Sequence, residues 1–128
     1  MQKIVDEPVT LERIKEIGAA FASRNVDAIV DCFADDGVFL NAKGPDIWGQ
    51  AYKGKEEIRG YFVAVFAHTP DASWQHTAEY VMGNRAVTEW LRSATLPNGQ
   101  KQQWNGCDLY TFRGDLIVMK DTYIKVVE

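Results

Sequence analysis

A chain of 128 residues that is 46% hydrophobic and 25% charged has the size and composition of one globular domain spanning 1–128, and disorder is excluded as the default. Its net charge of −4, with no Lys/Arg cluster, argues against a nucleic-acid partner, and Lys53-Gly54-Lys55 is followed at once by Glu56 and Glu57. No run approaches the roughly 20 apolar residues that cross a bilayer.

The stretch from Met1 to Glu7 carries early acids and no signal-peptide core. Cys32 and Cys107 have neither a disulfide framework nor metal spacing. They are expected to be small buried hydrophobes in a reducing compartment, and the protein is expected to be cytoplasmic and off the membrane.

Leu11, Ile14, Ile17, Gly18 and Phe21 fall at helical spacing, with Thr10 as N-cap and Arg24-Asn25 as the stop. A shorter helix presents Ile29, Cys32 and Phe33. Asp35-Asp36-Gly37 then turns the chain into a brief strand, Val38-Phe39-Leu40. A third helix is expected over about 55–67, with Ile58, Tyr61, Phe62, Val65 and Phe66 on its apolar face.

Beyond residue 70 the pattern changes. Gly83-Asn84, Asn98-Gly99 and Gly114-Asp115 each suit a two-residue hairpin, because Gly and Asn accept positive φ at little cost. They divide the chain into strands of about 73–82, 85–97, 100–113 and 116–127. Helices followed by a meander predict an α+β fold. The N-terminal helices pack in the concave face of a curved antiparallel four-strand meander with a short additional strand, giving an α+β barrel or cone.

Taking all three turns as two-residue loops fixes a register. His76 then faces Leu91, Glu89 faces Asp108, and Asp108 faces Asp121. One face of the sheet holds Trp74, His76, Tyr80, Val87, Glu89, Leu91, Trp104, Asp108, Tyr110, Phe112, Ile117, Met119, Asp121 and Tyr123. Three carboxylates in a row on a buried face would raise one another's pKa, and groups poised in that way suit acid–base work. A one-residue slip in any turn would send part of the row to the other side.

The opposite face holds Thr77, Thr88, Trp90, Leu109, Thr111, Val118, Thr122 and Ile124 among Glu79, Arg92, Arg113 and Lys120. It is too apolar for full solvation, which points to a homodimer through the outer sheet face.

Two other motifs carry less. Gly49 to Lys55 has phosphate-loop spacing, but Glu56 stands where a hydroxyl is needed and acids enter the helix. His76, Glu89, Asp108 and Asp121 have ligand types that suit a divalent metal, with no motif spacing to support one, so no metal is expected. His68 is expected to be a solvated helix end, and Cys107 to point away from the Asp108 face.

Phe33-Ala34-Asp35-Asp36-Gly37-Val38-Phe39, Tyr52-Lys53-Gly54-Lys55-Glu56-Glu57-Ile58 and Asp108-Leu109-Tyr110-Thr111-Phe112-Arg113-Gly114-Asp115-Leu116-Ile117 occur in order. Together they resemble the nuclear transport factor 2-like superfamily, in particular SnoaL-like polyketide cyclases and ketosteroid isomerases. The resemblance implies a cystatin-like cone with one pocket. It places Asp108 where isomerases keep a protonated Asp that stabilises an enolate oxygen. Asn41 stands where their general base would be, and Ile17 where their Tyr would be, so the isomerase mechanism itself is not expected.

The expected function is a small-molecule pocket for a flat hydrophobic carbonyl compound, with cofactor-free proton transfer of isomerase, cyclase or lyase type. Asp108, Asp121 and His76 are the catalytic candidates. Asn41, Trp48, Phe62, Trp74, Glu89, Trp104, Tyr110 and Tyr123 are the ligand-binding candidates, with Trp48, in the loop 44–50, either a lid that stacks on the ligand or a hydrophobic plug for the core edge. The alternative is a non-catalytic dimeric domain that binds a ligand or a partner chain.

Overall fold

The computed structural model describes residues 8–128; Met1 to Glu7, where a signal segment was considered, lie outside the described residues. Three helices precede most of the sheet: α1 (Leu11–Ala22), α2 (Val26–Asp31) and α3 (Gly54–His68). The strands are β1 (Phe33–Leu40), β2 (Ala51–Lys53), β3 (Ser73–Met82), β4 (Arg85–Thr95), β5 (Lys101–Arg113) and β6 (Leu116–Ile124). They form one six-stranded sheet in the order β2-β1-β6-β5-β4-β3. The meander β3 to β6 is antiparallel throughout, while β1 joins β6 in parallel. The fold is α+β with a curved, unclosed sheet, as expected. No helix among the described residues is long and apolar enough to cross a membrane.

The first helix starts where its cap predicts. Thr10 Oγ1 accepts from the Arg13 backbone N–H at 3.1 Å, satisfying one orphan donor of the first turn. The left-handed position that ends α1 falls on Arg24 (φ 56) rather than Asn25, held because its guanidinium donates to the Ala72 carbonyl at 2.9 Å. Asn25 instead caps α2, accepting from the Ala28 N–H. β1 is longer than the expected strand. Asp35-Asp36-Gly37 forms an irregularity inside it, between Phe33 and Val38, rather than a turn before it.

The core lies between helices and sheet. Ile14 and Ile17 of α1, Ile29 of α2 and Ile58 and Phe62 of α3 are fully buried against Phe33, Phe39, Tyr110, Phe112 and Ile117. Each buried aliphatic or aromatic side chain contributes on the order of 1.5–3 kcal/mol.

The register differs from the expected one at three places, and each has a local cause. The Gly83-Asn84 loop has two residues, pairing Met82 with Arg85 and Ala78 with Glu89, but a bulge at Thr77 then brings His76 opposite Trp90. At Asn98-Gly99 the loop has three residues. Gly99 N–H donates to the Leu96 carbonyl and Gly99 takes φ 87, the type I turn plus left-handed Gly that Pro97 at its first central position favours. The pairing is therefore Thr88 with Asp108 and Glu89 with Cys107. At Gly114-Asp115 the two-residue loop forms, but a bulge at Val118 shifts the remainder, so that Asp108 faces Thr122 and Leu109 faces Asp121.

The expected row of three carboxylates is thereby corrected. Asp108 faces the helices; Glu89 and Asp121 share the opposite face with Cys107, so the set considered for a metal is split across the sheet. The two expected faces exchange several members: Thr88, Trp90, Arg92, Lys120 and Thr122 are buried inside, whereas Val87, Leu91, Met119 and Tyr123 lie outside.

Candidate functional site

A cavity of about 150 Å³ opens between α1, α3 and the concave face. That is the scale of a hole that holds a single aromatic ring. Of the expected site residues, His76, Asp108, Asn41, Phe62, Trp74, Trp104 and Tyr110 line it. Glu89, Asp121 and Tyr123 do not, because the slipped register turns them outward. Trp48 does not either: it is 64% exposed in the loop after β1.

The polar centre is Asp108 on β5, 4% exposed. Five side chains donate to its carboxylate. Lys120 Nζ lies 2.9 Å from Oδ1 and Thr122 Oγ1 2.5 Å from it. Trp90 Nε1 reaches Oδ2 at 2.9 Å, with the Thr88 and Tyr110 hydroxyls each at 3.4 Å. Lys120 also donates to Thr122 Oγ1 at 2.9 Å. Lysine and indole nitrogens are donors only, so Asp108 acts here as an acceptor within an ion pair. Burial, then the neighbouring carboxylate, push the Tyr110 hydroxyl well above its ordinary range, so it stays a donor.

Trp90 reaches Asp108 because Gly106 stands opposite it. A Cβ at Gly106 would come within 2.4 Å of the Trp90 ring.

Lys120 projects inward from β6, with its ammonium 4.5 Å from the Phe39 ring centroid and 5.5 Å from that of Phe21. Two of its N–H groups are used by Asp108 and Thr122; a third is left for a ligand.

His76 sits on β3 just before the Thr77 bulge. The bulge adds a residue, so Glu79, three positions on, faces the same side as Thr88 and Asp108. His76 Nδ1 lies 2.7 Å from Glu79 Oε2, and Lys15 of α1 donates to Oε1 of the same carboxylate at 3.1 Å. The hydrogen bond from His76 holds the Glu79 carboxyl below its ordinary value. The imidazole lies against Gly18, where a Cβ would come within 2.9 Å of Cε1. Nε2 has no hydrogen-bond partner among the described residues. An imidazole donating Nδ1–H to a carboxylate has a basic Nε2, the arrangement that general bases share.

The open end carries a different chemistry. Arg92 on β4 is directly opposed by Trp74 on β3 and Trp104 on β5, and its guanidinium lies 4.4 Å from the Trp104 centroid and 5.8 Å from that of Trp74. Tyr61 of α3, its hydroxyl pushed up by burial, lines the same region with Asn41.

Lys120, Arg92, Trp90, Thr122 and Glu79 were assigned outward from the sequence because side-chain parity was carried through two slips. The turn Pro97-Asn98-Gly99 held the one available signal, since Pro before Asn-Gly suits the three-residue loop.

The SnoaL-like domain family model matches residues 14–119. The chain belongs to the SnoaL-like family. No curated protein sequence matches it. A protein of ketosteroid isomerase-like fold from Catenulispora acidiphila, in complex with trimethylamine, superposes with a TM-score of 0.78 at 22% identity, covering 90% of this chain and 86% of that one. A cystatin-fold protein from Novosphingobium aromaticivorans does so at 0.72 and 23% identity, covering 91% and 97%. A SnoaL-like polyketide cyclase homologue from Jannaschia gives 0.75 at 12% identity, covering 98% and 91%. The fold is that of the nuclear transport factor 2-like superfamily, and together with the cavity it supports a small-molecule-binding domain.

Proposed function

We propose that the protein binds a flat, ring-sized carbonyl compound and moves a proton next to its carbonyl group, with His76 as the base. The observation that carries this is the His76–Glu79 pair at 2.7 Å in the wall of a cavity that also holds the Lys120 ammonium. Nε2 takes the α-proton, and the C–H electron pair becomes the C=C bond of an enolate. The third N–H of Lys120 supports the charge that develops on oxygen, while Asp108 and Thr122 keep the ammonium in place. Returning the proton to another carbon completes an isomerisation, and ring closure or loss of a leaving group from the same enolate gives the cyclase and lyase variants. Asp121, on the outer face, has no part in this scheme, and Asp108 is a positioning residue. The step draws on side chains alone.

The test is α-hydrogen exchange of 2-indanone, a flat neutral ketone, in D2O, followed by NMR. The protein should accelerate exchange, and His76→Gln should remove about 10²–10⁴ of that acceleration. Binding without exchange, or full exchange in the His76→Gln protein, would rule the base out and leave a non-catalytic ligand-binding domain. The half-exposed outer face with Val87, Leu109, Met119 and Tyr123 is the surface we propose for a homodimer. A monomer by analytical ultracentrifugation would reject it.

A further inference from the structure

We infer that the Arg92 end of the cavity is an anion-binding subsite, and that the compound selected there carries a carboxylate beside its ring. The inference deepens the pocket proposed above and rests on it.

Arg92 is only 9% exposed, yet no carboxylate pairs with it among the described residues. Its described partners are neutral and few: the Gln102 side-chain oxygen at 3.1 Å and the Thr69 hydroxyl at 3.5 Å. The acid whose field reaches it, Asp71, is committed elsewhere, accepting from the Thr95 N–H at 2.8 Å and hydroxyl at 2.6 Å. A second cation stands close by, Lys43 Nζ lying 5.6 Å from the Trp104 centroid. The other buried cation among the described residues, Lys120, is neutralised by Asp108; the described residues give this end of the cavity no such balance.

An uncompensated buried charge is costly, and arginine cannot escape the cost by losing its proton. Burial opposes the charged form of Arg92, with only Tyr61 and Asp71 acting the other way. Pairing with a ligand anion removes the imbalance. The guanidinium lies near two indoles, 4.4 Å from the Trp104 centroid and 5.8 Å from that of Trp74. Its N–H groups beyond those used by Gln102 and Thr69 suit the planar, two-oxygen geometry of a carboxylate. Trp104 Nε1 supplies an independent sign: it is a buried donor with no acceptor in the structure. A carboxylate that enters this corner and turns the indole toward it would satisfy that donor, with Trp74 and Trp104 beside the attached ring.

Three one-ring probes decide the matter by calorimetric titration: benzoate, its neutral isostere benzamide, and the phenyltrimethylammonium cation. Benzoate should bind at least about tenfold more tightly than benzamide, the value of one charge-assisted hydrogen bond, and the cation most weakly. Arg92→Gln should erase the benzoate advantage, bringing the benzoate-to-benzamide affinity ratio to about one. An Arg92 that is merely structural would instead lower the melting temperature without moving the ratio.

Equal affinity for benzoate and benzamide, preference for the cation, or an advantage that survives Arg92→Gln would overturn the inference. So would failure of every probe to bind at millimolar concentration, which would also remove the pocket itself. The wild-type comparison alone carries the sign, so a poorly folded variant leaves no ambiguity. Strong benzoate selectivity, with 2-indanone bound but not exchanged, would sink the proton-transfer proposal and leave this one standing.

Discussion

Replacing Asp108 by alanine removes the one acceptor shared by Lys120, Thr122, Trp90, Thr88 and Tyr110. The lysine is 6% exposed and loses its one carboxylate partner among the described residues, leaving an unpaired ammonium against Phe39 and Phe21. Breaking a buried pair from one side costs about 3–5 kcal/mol, most of it the penalty on the abandoned charge. Lys120→Met breaks the same pair from the other side, but leaves a carboxylate with four neutral donors. Its cost should be lower, about 1–3 kcal/mol, the range for a buried polar group that loses one partner, because the other four donors remain. The double variant should lose less than the sum of the two, with a coupling of about 1–3 kcal/mol. Urea unfolding at neutral pH measures all three, provided the denaturant slope is unchanged. A loss under about 1 kcal/mol for Asp108→Ala, or strict additivity in the double variant, would refute the network as drawn.

Four further outcomes follow from the same geometry. Gly106→Ala should cost about 1–3 kcal/mol, because its Cβ would meet the Trp90 ring and the Tyr123 carbonyl; unchanged thermal stability would contradict that packing. Gly18→Ala should push the His76 imidazole away from Glu79, lowering exchange of 2-indanone, while the helix gains up to about 1 kcal/mol in propensity; retained exchange would contradict the contact. The Glu79 carboxyl is held below its ordinary value of about 4.3, so its stabilising effect is full above that value and lost as pH falls through the lower folded value. Between about pH 5 and pH 3 the wild type should therefore lose more stability than Glu79→Gln, as read by acid titration of the melting temperature. Burial raises the Asp121 carboxyl, so its charge slightly opposes folding at neutral pH; Asp121→Asn should keep benzoate binding and melt no lower than wild type.

The elements and their order were legible because the physics that sets them is local. Thr10 caps α1, Ile14, Ile17 and Phe21 repeat at helical spacing, and each glycine-containing turn lies between alternating runs. The site was legible only in part. His76, Trp74, Trp104, Asp108 and Tyr110 were placed inside correctly. Their cross-strand neighbours were not, because parity depends on every residue between a turn and the site. One added residue in the Pro97-Asn98-Gly99 loop inverts β4 relative to β5, and the Val118 bulge shifts β6 again. Lys120, Arg92 and Glu79 were hidden by that arithmetic alone. Bulges follow from how strands bend around a core, which no dipeptide announces.

The most direct test of the central claim, a concave cavity whose polar ends recognise a small ring compound, is a titration of the four tryptophan indole N–H signals with benzoate by ¹⁵N NMR, assigned through single Trp→Phe variants. A large saturable shift of the Trp104 signal is expected as its unpartnered N–H gains an acceptor. Trp74 should respond to ring contact, Trp90 should move little because Asp108 already holds it, and Trp48 should not move at all. A response confined to Trp48, or no saturable response at Trp104, would contradict the claim.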